Sequence, residues 1–155
     1  MKDVLPFIQN VAKADIPRAF HSDPGPKGVL IQIVDPDTDF PVPRFPFAEI
    51  HQFRFWDIHE GNPEWAEQQS QAIQPEQAKA IAGILTDALA NRKNVIVHCH
   101  AGICRSGAVV AVGVRMGFTD PEKVRLPNPR VKRLLEEALG LEYKPDVWDN
   151  LPPWE

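Results

Sequence analysis

The sequence predicts an α/β fold, a single three-layer sandwich with a largely parallel central sheet flanked by helices. Three observations lead there: short apolar runs rich in β-branched residues, amphipathic helical stretches between them, and turn residues at the joints. Val29 to Val34 (VLIQIV), closed by Asp35-Pro36, has the form of a buried strand ending in a turn. His51 to Trp56 (HQFRFW) alternates polar and aromatic residues, a second strand with one better-buried face. Gln74 to Lys93 sets Ala78, Ile81, Ile84, Leu85, Ala88 and Leu89 at spacings of three and four, one apolar helical stripe with Pro75 in its first turn. Asn62-Pro63-Glu64 reads as the cap of a shorter helix before it. Val95 to Val97 is a third strand, and Ser106 to Met116, apolar nearly all round, is a central buried helix. A last helix takes Asn128 as cap, Pro129 in its first turn, a stripe of Val131, Leu134, Leu135, Ala138 and Leu139, and Gly140 as its stop.

Composition narrows the function. At 155 residues, with 43% apolar and 25% charged residues, residues 1–155 are expected to form one domain. The 17 basic and 21 acidic residues give a net charge of -4, and no run of Lys or Arg lays a basic stripe, which argues against binding duplex nucleic acid. The longest apolar stretches fall far short of the roughly 20 residues that cross a bilayer. Charges and prolines interrupt the opening segment where a signal core would sit, so a cytoplasmic location is expected. Two cysteines, Cys99 and Cys104, stand too close together to staple a fold and read as reduced and available for chemistry. The 16 prolines concentrate before Pro46 and after Pro121, in what should be loops and rigid turns.

The chemistry concentrates in Asn94 to Val110 (NVIVHCHAGICRSGAVV): a buried strand, a short loop with one glycine, and a buried helix. Cys99 ends the strand, at the sheet edge where open α/β folds bind ligands and where helix N-termini present unpaired N–H groups. His100, Ala101, Gly102, Ile103 and Cys104 then separate it from Arg105, a loop of the right length to wrap its N–H groups around one tetrahedral oxyanion. Arg105 adds a planar fork for two oxygens of the same anion. A thiol in this cradle is favoured as thiolate, a nucleophile aimed at a bound phosphorus. Ser106 is placed to donate a hydrogen bond to the departing sulfur, and His98 to brace the backbone behind Cys99.

The segment HCHAGICRSG resembles the C-x5-R-[ST] signature of the cysteine-dependent protein tyrosine and dual-specificity phosphatase superfamily, in the setting of strand, loop and buried helix that such a motif requires. The similarity continues through VRLPNPRVKRLLEEAL and covers about Ile50 to Leu139. It implies a small dual-specificity-like phosphatase: cofactor-free and metal-free hydrolysis of a phosphomonoester through a phosphocysteine on Cys99, with a phosphorylated protein (Tyr, and Ser or Thr in a shallow cleft) as the expected partner. Phosphoinositides, nucleotides and RNA 5′-phosphates stay open, although His100 and Ile103 stand where some lipid phosphatases carry paired lysines. The family mechanism needs an upstream aspartate as general acid. Asp57 is the candidate, with Glu60 and Asp35 in reserve, although the 42 residues from Asp57 to Cys99 leave room for an insertion near Asn62 to Ala72.

Other readings compete at particular residues. Cys104 either traps an oxidised Cys99 as a disulfide or fills a gap beneath the loop. The spacing CxxxxCRS also resembles low-molecular-weight tyrosine phosphatases, whose loop and acid come in the opposite chain order. Zinc is disfavoured because His98 and Cys99, adjacent on a strand, face opposite sides. His21, His51 and His59 read as surface or loop histidines, and Trp56, Trp65, Trp148 and Trp154 as core or lid packing. A sulfurtransferase or arsenate reductase, or a module that captures phosphate without turnover, are the rival functions.

Overall fold

The computed structural model describes residues 5–58 and 70–143. Glu60, His59, the proposed cap at Asn62, Trp65 and the C-terminal tryptophans lie outside them. In chain order the elements are β1 (Ile8–Ala12), β2 (Val29–Val34), β3 (Glu49–Arg54), α1 (Pro75–Ala90), β4 (Val95–Cys99), α2 (Arg105–Met116) and α3 (Pro129–Ala138), with a 3-10 turn at Lys13–Asp15. The four strands form one sheet in the order β1-β4-β2-β3, every pairing parallel. All strand C-termini therefore open on one edge, and the Cys99 strand lies in the middle of it.

Side-chain alternation splits the sheet into two faces. Ile8, Val29, Ile31, Ile33, Val95, Val97 and Cys99 join the main core with the buried faces of all three helices. Val11, Leu30 and Ile96 form a smaller cluster on the other face, closed by Ile16, Phe7 and Phe47. Because β2 and β4 are sandwiched this way, every one of their residues is buried, which is why they read as mainly apolar runs, with Gln32 and His98 the polar exceptions. β3 at the edge alternates half-buried and exposed residues, and its span lies two residues earlier than the aromatic pattern predicts.

The helix ends follow local chemistry. Pro75 opens α1, where Gln74 and Gln77 satisfy each other's backbone N–H groups reciprocally. The Asn128 side chain accepts from the Val131 N–H at the head of α3. α1 stops at Ala90, three residues short of the predicted end, once Asn91 caps its carbonyls. β1 is the element the sequence reading leaves out: QNVA carries two polar residues, and Asn10 is buried for a purpose that emerges only at the site. Among the described residues no helix is long and apolar enough to cross a membrane.

Candidate active site

A cleft of about 310 Å³ opens at the C-terminal edge of the sheet, lined by Asp35, Trp56, Asp57, Cys99, His100, Ala101, Cys104 and Arg105. Parallel strands bring these distant residues together: Asp35 follows β2, Asp57 follows β3 and Cys99 ends β4. The loop from His100 to Cys104 then turns directly into α2 at Arg105.

The loop is held by its carbonyls. His100 O accepts from Lys13 N (3.1 Å), Ile103 O from Leu126 N (3.1 Å), and Cys104 O from Asn128 N (3.0 Å) and Ala108 N (2.9 Å). The carbonyl of Gly102 accepts from the Asn10 side chain at 2.8 Å, and the same amide reaches Val124 O at 3.0 Å. In a trans peptide the C=O of one residue and the N–H of the next point in opposite directions. With these carbonyls drawn outward, the N–H groups of Ala101, Ile103, Cys104 and Arg105 turn toward the inside of the loop, next to the positive end of α2. Gly102 makes the bend possible: its φ is +76°, and a Cβ there would stand 2.5 Å from backbone atoms of Val11 and Ala12.

Cys99 is buried, its Sγ 3.1 Å from the Ser106 Oγ, and Ser106 is wholly buried. Arg105 is 3% exposed. One of its terminal nitrogens, Nη1, donates to Asp35 Oδ1 at 2.8 Å and to the Phe55 carbonyl at 2.7 Å, while its Nε, also buried, has no partner among the described residues. A buried guanidinium with an unsatisfied N–H beside a cleft is the arrangement that an anion completes. Asp35, expected as part of a turn and as a reserve acid, does form the turn, since Thr38 N donates to its carbonyl at 3.0 Å; its carboxylate, however, carries the counter-charge of Arg105.

Asp57 stands at the cleft with Oδ1 receiving a 2.6 Å hydrogen bond from Asn128 Nδ2, which also donates to Ile58 O at 3.0 Å. Asn128 thus caps α3, ties down the Cys104 carbonyl and holds Asp57; the sequence reading captured only the cap. Asn10 escaped it entirely. Neither has a sequence signal for its side-chain role, because the Asn10 amide acts on Gly102 and the Asn128 amide on Asp57 and Ile58, each at least 70 positions away.

Two expectations change. His98, expected to brace the backbone behind Cys99, lies fully buried on the opposite sheet face, with neither ring nitrogen in a well-formed hydrogen bond to the described residues. Burial lowers its pKa to about 4, against a smaller opposing pull from the Cys99 backbone, so the imidazole is neutral. Cys104, half-buried, keeps its proton: burial, and the negative charges of Asp57 and Cys99, push its pKa up to about 12. That favours the packing role over an attacking thiolate. Trp56, expected as core or lid packing, is half-buried in the cleft wall, its indole N–H donating to Gln71 Oε1 at 2.5 Å.

Residues 47–136, more than half of the chain, match the family described as protein-tyrosine phosphatase, and the chain belongs to that family. Among curated proteins none matches the sequence. Among solved structures, the chain is similar to human DUSP28 (15% identity, TM-score 0.49, covering 86% of this chain and 91% of that one). It is also similar to Tk-PTP in its active form (15%, 0.47, 87% and 93%). A third is OH1 from the Orf virus, a tyrosine phosphatase described as having triple substrate specificity (16%, 0.43, 90% and 73%).

Proposed function

We propose that this protein hydrolyses phosphomonoesters, a phosphorylated protein side chain foremost, by a two-step cysteine mechanism. The Cys99 thiolate attacks phosphorus as the P–O ester bond breaks, and Asp57 gives its proton to the leaving oxygen. The resulting phosphocysteine is cleaved by water, Asp57 taking the water's proton, phosphate departing and the sulfur leaving as thiolate with Ser106 donating a hydrogen bond to it. The inward N–H groups and Arg105 hold the three non-bridging oxygens through both steps and stabilise the charge that builds on them. Asp57 suits the acid's role better than Asp35, whose carboxylate is occupied by the guanidinium. The observation that carries this reading is the Cys99 sulfur at 3.1 Å from Ser106 in a cleft that also holds the unsatisfied Arg105 Nε.

The test is release of p-nitrophenol from p-nitrophenyl phosphate with EDTA present, followed by phosphopeptides, phospholipids and RNA ends. Turnover should vanish in Cys99→Ser and fall about 10²- to 10⁴-fold in Asp57→Asn. Unchanged turnover in Asp57→Asn would point to arsenate reductase or sulfurtransferase chemistry, or to another acid. Phosphopeptide binding by the wild type with no phosphate release would mark a capture module instead.

A further inference from the structure

The two-step chemistry uses the backbone of Cys104 and leaves its thiol idle. Cys104 is the N-cap residue of α2, a position where a side-chain oxygen usually turns back onto the first N–H groups of the helix. Its side chain makes no such cap, and the half-buried thiol lines the cleft instead. Asn128 fixes what the thiol faces there. Its N–H donates to the Cys104 carbonyl at 3.0 Å and its side-chain amide to Asp57 Oδ1 at 2.6 Å, so one residue at the head of α3 holds the last residue of the loop beside the carboxylate. That carboxylate acts on the thiol both through its charge and as a hydrogen-bond acceptor. Cys99 is felt by Cys104 through its charge, and its own sulfur lies 3.1 Å from the Ser106 hydroxyl. A carboxylate can only accept, with about four lone-pair sites, whereas a thiol that holds its proton to about 12 is a donor at every working pH.

We propose, resting on the reading of Asp57 as the acid of this cleft, that Cys104 is a positioning residue: its S–H donates to the Asp57 carboxylate and, with the Asn128 amide, clamps the acid between the heads of α2 and α3. The head of α2 also carries the oxyanion loop, so the clamp registers the acid against the sulfur it serves. A thiol suits this place because it is a weak donor. It can orient the carboxylate without keeping it from taking up the proton it must deliver.

The chain has two cysteines, so Cys99→Ser leaves Cys104 as its single thiol. The S–H stretch falls in an infrared window free of other protein bands and reads the hydrogen bond directly. In Cys99→Ser the band should lie below that of an unbonded thiol. Adding Asp57→Asn, a weaker acceptor, should move it up, and adding Asp57→Ala, which has no acceptor, should move it further. A band that Asp57→Asn and Asp57→Ala leave in place overturns the proposal while the phosphatase reading stands; should Asp57→Ala fail to fold, Asp57→Asn decides alone. With Cys99 intact, Cys104→Ala should lower kcat for phenyl phosphate about fivefold, the scale of one neutral hydrogen bond. KM should change little, since the acid is loosened and the oxyanion cradle is not, and Cys104→Ser, which keeps a donor, should recover part of kcat. A raised KM with kcat unchanged in Cys104→Ala would mark a loop-packing role and overturn the assignment. No turnover of any aryl phosphate by the wild type overturns the phosphatase reading, and the positioning role with it, whatever the band does.

Discussion

Asn128 joins three parts of the molecule through one buried side chain and its own N–H, so its removal has a workable ledger. Asn128→Ala deletes the α3 cap, a loss of about 1 kcal/mol. It also strips the Ile58 carbonyl of its 3.0 Å donor, leaving a buried acceptor short at a cost of about 1–3 kcal/mol. The expected destabilisation is about 3 kcal/mol, large against the 5–15 kcal/mol of a typical domain yet short of unfolding it. Asn128→Ser separates the functions: its hydroxyl can still accept from Val131 N, but it is too short to replace the amide that holds Asp57. Urea unfolding should therefore recover about 1 kcal/mol in Asn128→Ser relative to Asn128→Ala. Turnover should stay impaired in both, more for phenyl phosphate than for p-nitrophenyl phosphate, since the poorer leaving group depends more on a placed proton. If Asn128→Ser turns over phenyl phosphate like wild type, Asn128 does not position the acid. Equal stability of the two variants would remove the cap from the account.

His98 predicts an acid-sensitive stability. Its native pKa of about 4 lies below the ordinary 6.5, so the burial of a neutral ring contributes fully above pH 6.5, and protons taken up by the unfolded chain erode stability as pH falls toward 4. That is about 1.4 kcal/mol per pH unit, about 3 kcal/mol in all; a His98→Gln variant with an unchanged slope of stability against pH over this window would rule it out. Gly102→Ala should abolish oxyanion binding and cost well over the ~1–2 kcal/mol of left-handed backbone strain alone, whereas Gly25→Ala, with similar φ but open space around it, should cost only that strain. Similar thermal shifts for the two would contradict the close approach of the loop to β1. After peroxide and then reductant, activity should return to the same extent in wild type and Cys104→Ser, because a thiol that holds its proton to about 12 is a slow trap; markedly poorer recovery in Cys104→Ser would restore the protective role.

The loop from Cys99 to Ser106 was legible because its pattern is local. Cys99, Gly102, Arg105 and Ser106 lie within eight consecutive residues, and strand, loop and helix carry their own patterns: β-branched burial, one glycine, an apolar helix. Asp57 was reachable by a similar route, since a residue just after a parallel strand must emerge at the same sheet edge as Cys99. The mainly apolar runs at β2 and β4 likewise announced a sheet covered on both sides.

Only the tertiary structure decided how the site is braced. β1 could not be seen in advance, because a strand with Gln9 and Asn10 lacks the apolar run, and the value of its buried amide lies in reaching Gly102, 92 residues later. Asp35 looked like a turn residue because it is one, and its bond to Arg105 exists only when β2 and β4 are neighbours. Local sequence sets backbone preference and burial pattern through interactions among adjacent residues. Hydrogen bonds between distant polar side chains depend on strand order, which the chain settles only when its whole core closes.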